Sequence, residues 1–389
     1  MPGPSKRGYQ HSGSIQGGEN DHPFLTPKGY RLMQNRKRAV NSVPVSFPEF
    51  QNFYSTQAPA AQGVPLGTPL NGVPFGQPIP TTQPIIIDGQ VIPVEYTTPP
   101  FSVEQDYLDQ GPLQNLRPSK QFPDPTELSS MPLTKHFETS LVANPLRSQL
   151  RAIGKLVIQV SPDPSSEPAT GSAWIAGPSL IITSAHNLYE FGTGEWSESV
   201  VFHPGFDYYS QKDLPTCRVT SCCIPRGYFE NPATNHDIAA CFVDRNIGDI
   251  VGAEIPMRPV KDDDFFDENP VTIVGYPAGS GFDFGKQMWK SKGDYLFGRA
   301  SGPGDDYSPV MATNFGGGSS GCPWLHKDKK TGKLVSVGVT SAHAKLRYDH
   351  GEPNLMSLIS PYFGARLFDS LSHDHVFHEF ERPDGESKG

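Results

Sequence analysis

Three residues have the types that acyl transfer from a carbonyl requires, and each sits where a backbone turn can present it. Ser320 lies in Gly316-Gly317-Gly318-Ser319-Ser320-Gly321-Cys322-Pro323, directly after the strand-like run Val310–Thr313. A serine that attacks a carbonyl must stand on a tight turn, with neighbouring backbone N–H groups converging on the developing oxyanion. Glycine permits that backbone, although the same string also fits an ordinary flexible loop. His186 follows Leu180-Ile181-Ile182-Thr183-Ser184-Ala185, an apolar run that closes in small residues. A general base needs rigid support and a pKa near neutrality, which histidine at a strand end supplies; a purely structural histidine fits the same place. Asp237 opens Asp237-Ile238-Ala239-Ala240-Cys241-Phe242-Val243. A carboxylate drawn in beside an apolar strand needs a hydrogen-bonding partner, and an imidazole N–H is one; the plainer role is a strand-start turn residue.

These residues need a frame that holds strand ends in place, and the surrounding pattern supplies one. From about residue 145, short β-prone runs alternate with Gly, Pro, Asn and Asp: Leu156–Val160, Ser172–Ile175, Leu180–Thr183, Arg218–Ile224, Ile238–Val243, Val271–Val274, Tyr295–Phe297, Val310–Thr313 and Leu334–Thr340. Many short strands without helical periodicity between them predict a sandwich or barrel. Tyr362, Ala365, Leu367, Phe368 and Leu371 fall at helix-like spacing and predict a closing helix over 360–373.

The first 125 residues are rich in Pro, Gly, Gln, Asn and Thr, with near-repeats Gly63-Val64-Pro65-Leu66-Gly67 and Gly72-Val73-Pro74-Phe75-Gly76. Such a segment buries too little apolar surface to offset its ordering entropy, so a largely disordered extension is expected. One island differs. Ile85-Ile86-Ile87, Asp88-Gly89 and Val91-Ile92 carry the two-residue hairpin signal, and the hairpin is a candidate to dock on the body. The expected organisation is a Pro/Gly/Gln-rich extension over 1–140, either a flexible tail or a removable pro-segment, a folded domain over 141–373 and a charged tail over 374–389.

Composition narrows the classes. The 389 residues include 40 Pro and 39 Gly, 19% are charged, and the net charge is −9. The basic run Asn35-Arg36-Lys37-Arg38 in the extension reads first as a solvated charge cluster. The acidic run Asp262-Asp263-Asp264-Phe265-Phe266-Asp267-Glu268 reads as a solvated loop rather than a calcium site, and His236 as a neighbour of Asp237 only. Cys217, Cys222, Cys223, Cys241 and Cys322 show no zinc spacing; Cys217 and Cys222 are far enough apart to bridge, and free thiols fit equally well. No secretory leader and no membrane-spanning apolar run is evident, which leans the expectation to the cytoplasm without fixing it.

Five blocks, in order, resemble the trypsin-like serine peptidases, and in particular their disulfide-poor bacterial and fungal branch that includes the glutamyl endopeptidases. They are Gly171-Ser172-Ala173-Trp174-Ile175 leading to Thr183-Ser184-Ala185-His186, then Asp237-Ile238-Ala239, Val274-Gly275-Tyr276-Pro277, Gly318-Ser319-Ser320-Gly321, and Val337-Gly338-Val339-Thr340-Ser341. The resemblance covers about 145–370 and nothing in 1–125. It implies an all-β fold of two antiparallel six-stranded barrels with a short C-terminal helix, His186 and Asp237 coming from the first barrel and Ser320 from the second. It further implies a serine endopeptidase working through an acyl-enzyme, with His186 as general base, Asp237 orienting it, Ser320 as nucleophile, and the N–H groups of Gly318 and Ser320 as oxyanion hole. A polypeptide substrate is the one partner expected, with no cofactor, metal, nucleic acid or membrane, and a monomeric chain. The alternative is a catalytically inactive scaffold or binding module, although such relatives usually lack a triad residue.

The departures from the family pattern bear on activation and specificity. Ser319 stands where trypsin has the Asp that a freed N-terminal amine would pair with, so trypsin-style zymogen switching is not expected. Asn187 replaces the cysteine that animal enzymes place after the histidine. By the resemblance, Asn314 and Phe315 line the base of the primary pocket, and neither supplies the Asp that selects Lys or Arg. Phe315 and Thr340 occupy the positions of the Thr and His that glutamyl enzymes use, so glutamate preference is unsupported, although His343 is close in sequence. Thr340, Ser341, Ala342 and His343 are expected to pair with the substrate backbone as an added strand.

Overall fold

A computed structural model of the chain describes residues 78–87, 90–97, 116–118, 120–121 and 136–380, apart from short stretches at 164–165, 192, 211–213, 231–233, 261–263, 301–306 and 347–354. The basic run at 35–38, the near-repeats at 63–76 and the chain beyond residue 380 lie outside the described residues.

Six antiparallel strands follow one another in the first half of the body: Ile153–Gln159, Ala169–Gly177, Leu180–Thr183, Ser199–Pro204, Cys217–Pro225 and Ala239–Val243. Counted in that order they hydrogen-bond as first, second, third, sixth, fifth and fourth, and the fourth pairs again with the first. The sheet therefore closes on itself and has no free edge inside the ring. Runs such as Leu180-Ile181-Ile182 and Ala239-Ala240-Cys241 are buried throughout.

The second half repeats the plan with Thr272–Gly275, Trp289–Gly293, Tyr295–Ala300, Tyr307–Ala312, Pro323–Lys327, Leu334–Val339, Ala342–Leu346 and Leu355–Ile359. Trp289–Gly293 continues through Asp294 into Tyr295–Ala300, and Leu334–Val339 continues through Thr340-Ser341 into Ala342–Leu346. Each of these long strands serves both five-stranded sheets. Counted as single strands, the six run round the ring in the same cyclic order as the first barrel.

Further strands sit outside these rings. Phe137–Leu141 pairs with Trp289–Gly293, Leu116–Pro118 pairs with Tyr295–Ala300, and His375–Glu379 pairs with Cys217–Pro225. The last falls in the stretch that composition marks as a charged tail; Val376 and His378 are half-buried on one face of this edge strand, and Phe377 and Glu379 are exposed on the other. The hairpin island forms: Pro78–Ile87 pairs with Gln90–Thr97, with Ile85 opposite Ile92 and Ile86 opposite Val91, while Asp88-Gly89 lies outside the described residues. Its strands lie beside Phe137–Leu141 and the turn Ser280–Gly285.

The closing helix spans Ala365–His373 and buries Leu367, Phe368 and Leu371, starting later than the spacing predicts because Pro361 and Gly364 precede it. Asp264–Glu268, expected as a solvated loop, is a short helix whose Asp264 pairs with Lys120 Nζ at 3.2 Å and whose Asp267 accepts the Lys120 backbone N–H at 2.7 Å. All five cysteines are free and buried, and Cys217 and Cys222 lie on one extended strand, which holds them apart.

Candidate active site

Strand register brings His186 to Asp237. Thr183 lies opposite Ala239 in the antiparallel pair, so the three residues that follow Thr183 and the two that precede Ala239 leave the barrel at the same end. His186 sits there in the single turn Ala185–Asn187. The Asp237 carboxylate grips it twice, accepting the His186 backbone N–H at Oδ1 (3.0 Å) and facing the ring Nδ1 from Oδ2 (2.7 Å). Ser341, arriving from the second barrel, donates its hydroxyl to the same Oδ2 at 2.6 Å. Asp237 is 3% exposed, and these three contacts are what allow a carboxylate to lie so deep. With Nδ1 engaged, Nε2 is the free end of the imidazole. It is buried and has no hydrogen-bond partner among the described residues.

Ser320 stands on the turn between Tyr307–Ala312 and Pro323–Lys327, and two glycines shape that turn. Gly318 has φ +79° and Gly321 φ +82°; a Cβ would lie 2.6 Å from Tyr276 O at the first and 2.1 Å from Ser172 O at the second. The Gly317 carbonyl accepts the Ala278 N–H at 2.5 Å. Because that peptide is trans, the Gly318 N–H points away from Ala278, and neither it nor the Ser320 N–H is taken by a backbone carbonyl among the described residues. Ser319 turns its hydroxyl back onto Gly316 O at 2.5 Å, an internal tie where an ion pair to a chain terminus would need a carboxylate.

One residue of the first barrel fastens the turn. Ser172 gives its N–H to Ser320 O (2.7 Å) and its hydroxyl to Gly318 O (2.9 Å), while accepting the Tyr276 N–H (3.0 Å). Asn187, next to His186, reaches the same Ser320 carbonyl with Nδ2 at 3.3 Å and Thr183 Oγ1 at 2.8 Å. Ser184 adds a further bridge to Thr340 O at 2.8 Å. His186, Asp237 and Ser320 thus lie along the seam where the barrels touch, and Ser172, Asn187, Ser184 and Ser341 each bond across it.

Two closed six-stranded barrels of one cyclic order, with the site on their seam, decide the architecture. The fold is trypsin-like. No protein-family model matches the sequence, and no curated protein matches it. Among solved structures, the protease Anisep from Arthrobacter nicotinovorans is similar at 18% identity over 60% of this chain and 98% of its own, with a TM-score of 0.44. The thermostable serine protease AL20 from an extremophilic microorganism aligns at 20% identity over 59% of this chain and 98% of its own (TM-score 0.44). A Glu endopeptidase in complex with MPD aligns at 19% over 60% and 95% (TM-score 0.42).

The remaining sequence candidates distribute themselves around these trypsin-like barrels. Asn314 and Phe315 are fully buried, Phe315 packing edge-on against Phe282 with centroids 5.4 Å apart. Thr340 is engaged within the protein at all three polar atoms: its N–H to Cys322 O, its carbonyl from Ser184 and Gly321, its hydroxyl from Trp324 Nε1 at 3.0 Å. Ala342 and His343 belong to the strand Ala342–Leu346, which pairs on one side with Leu355–Ile359 and ends its sheet among the described residues. Cys322, two after Ser320, is fully buried, and burial pushes its thiol up to about 12, so it stays protonated beside the site. His236 packs over Gly227, where a Cβ would lie 2.8 Å from its ring.

Local sequence does not announce Ser341 as a support for the Asp237 carboxylate, nor Ser172 and Asn187 as fasteners of the Ser320 turn. Each acts on a partner more than a hundred residues away.

Proposed function

We propose that the chain is a serine endopeptidase in which Ser320 attacks the scissile carbonyl, His186 Nε2 takes its proton, and Asp237 holds the imidazole. The observation that carries this reading is the Asp237 carboxylate, which engages His186 through ring and backbone at once and leaves Nε2 as the one unengaged nitrogen. With Nδ1–H donated to a buried carboxylate, Nε2 is the basic nitrogen, and the imidazolium formed on proton transfer is stabilised by the charge beside it. The Gly318 and Ser320 N–H groups serve as oxyanion donors, supported by the Ala278 clasp on the Gly317 carbonyl. The imidazolium then protonates the leaving amine, and imidazole next activates water against the acyl-Ser320 ester.

A fluorophosphonate probe tests the reading. Wild-type protein is expected to be labelled, and Ser320→Ala or His186→Ala to abolish labelling while circular dichroism stays unchanged. A folded wild-type protein that takes no label would leave the barrels as a binding scaffold.

A further inference from the structure

Two of the buried cysteines face each other across a strand pair. Cys222, on Cys217–Pro225, lies directly opposite Cys241, on Ala239–Val243. Residues directly opposite in an antiparallel pair put their side chains on the same face of the sheet. How close those side chains come depends on whether the two residues exchange backbone hydrogen bonds or direct them elsewhere.

The strands on either side fix that choice. The Val243 N–H bonds Ser179 O at 3.1 Å, so Val243 turns its backbone groups to the Leu180–Thr183 side of its strand. Backbone groups alternate in direction along a strand, so Cys241, two residues earlier, points the same way, to its partner Ile181. On Cys217–Pro225 the opposite holds. The Phe380 N–H bonds Thr220 O at 3.1 Å and the Arg226 N–H bonds Asp374 O at 3.0 Å, and these two bracket Cys222. Cys222 therefore directs its backbone to His375–Glu379, where its partner is His378. Each cysteine turns its hydrogen-bonding groups away from the other. They form a non-hydrogen-bonded pair, in which the Cα atoms approach to about 4.5 Å and the side chains are closest. A disulfide needs Cα atoms about 4.4–6.8 Å apart, so this pair can be bridged without moving either strand.

We propose that Cys222 and Cys241 are a redox pair that closes into a cross-strand disulfide when the protein meets a small-molecule disulfide such as oxidised glutathione. One cysteine, as thiolate, attacks a sulfur of the small disulfide and releases one small thiol. The second then attacks the protein sulfur of the mixed disulfide and releases the other. The two cysteines give up two protons and two electrons, and the small disulfide is reduced to two thiols. The remaining cysteines are placed against such a bond. Cys223 alternates to the other face of the strand, opposite Ala240, Cys217 lies opposite Phe202, and Cys322 belongs to the second barrel, against Gly275. The loop that the bridge closes, residues 222–241, contains Asp237, and the bridge ties the strand that Asp237 leads into to its neighbour. Closing that loop restricts the unfolded chain and so stabilises the first barrel.

The experiment treats the full-length protein with oxidised glutathione, once folded and once during refolding from urea. Both arms are needed because Cys222 and Cys241 are 0% exposed, and exchange in the folded state waits on local opening. Remaining thiols are blocked with N-ethylmaleimide before trypsin digestion. The protein is expected to lose two of its five thiols and to yield peptide Val219–Arg226 joined to Gly227–Arg245. The urea midpoint should rise by about 1 M, and dithiothreitol should reverse every change. Cys222→Ala is expected to lose the joined peptide, and Cys223→Ala to keep it; if Cys222→Ala does not fold, fragmenting the wild-type joined peptide between Cys222 and Cys223 assigns the sulfur. Five thiols in both arms, glutathione retained without the joined peptide, or a bond assigned to Cys223 overturns the proposal.

Discussion

An alanine at Gly318 would have to occupy φ +79° with its Cβ 2.6 Å from Tyr276 O and 2.8 Å from Ala278. Backbone atoms form most of that wall, so the peptide must give way, and the peptide that moves carries the N–H proposed as an oxyanion donor. Gly318→Ala is expected to lower kcat by about 100-fold, the usual loss for one oxyanion donor. Its cost in stability is about 1–3 kcal/mol. Steady-state kinetics beside a urea melt separate the two effects; an unchanged kcat would remove Gly318 from the mechanism. At this scale the sequence is legible wherever a residue's task is set by its immediate neighbours. Glycines around a serine, and a histidine or an aspartate at an apolar run, can be picked out because the local backbone makes the argument. Ser341, Asn187 and Thr139 cannot, since each is an ordinary polar residue whose partner lies 104, 133 or 175 positions away.

Among the elements, the pair Ile153–Gln159 and Ser199–Pro204 sets a stability condition. Its register places His203 directly opposite Lys155, both fully interior. Burial, and then the neighbouring Lys155, lower the His203 pKa from 6.5 to about 3. Lys155 sits well below its ordinary value, first through burial and next through Lys286, against the pull of Asp283. In the window from about pH 6.5 down to 3 the unfolded chain binds a proton at His203 that the folded chain refuses. The His203 contribution to stability is therefore fully present above pH 6.5 and falls as pH drops through that window. The loss at pH 5 relative to pH 7.5 is about 2 kcal/mol. Denaturant midpoints at the two pH values measure it, and His203→Leu should flatten the difference; an unaltered slope in that variant would assign the pH dependence to other groups. Strands with continuous apolar runs, such as Leu180–Thr183, are readable from sequence to the residue. Trp289–Gly293 is not, because it alternates Trp289 and Ser291 inward with Lys290 and Lys292 outward, and Pro323–Lys327 hides behind its leading proline.

Across the whole molecule, periodicity predicts strands but not their neighbours. The closed order, identical in both barrels, depends on pairings between distant segments, and only the ordered blocks that resemble the trypsin-like peptidases pointed to it. The added strand Phe137–Leu141 shows what such blocks leave out: its partner Trp289–Gly293 lies about 150 residues on, and no motif links them. That strand joins the rest of the body through a short connection in which Arg147 and Ser148 are both exposed. A nick after Arg147 would cut the polypeptide without cutting the sheet. The amino-terminal piece would stay seated through its ladder to Trp289–Gly293, through Thr139 on Asn314 and through Lys120 on the Asp264–Glu268 helix. Limited digestion with an Arg-specific protease should then give, on a denaturing gel, a fragment that begins at Ser148 and shorter fragments that end at Arg147, yet the two should coelute on gel filtration, whereas their separation would show that covalent continuity is what holds the strand in place. If they stay together, this protein can be supplied as two complementary polypeptides that reassemble, with the Thr139 hydroxyl meeting Asn314 only when both are present.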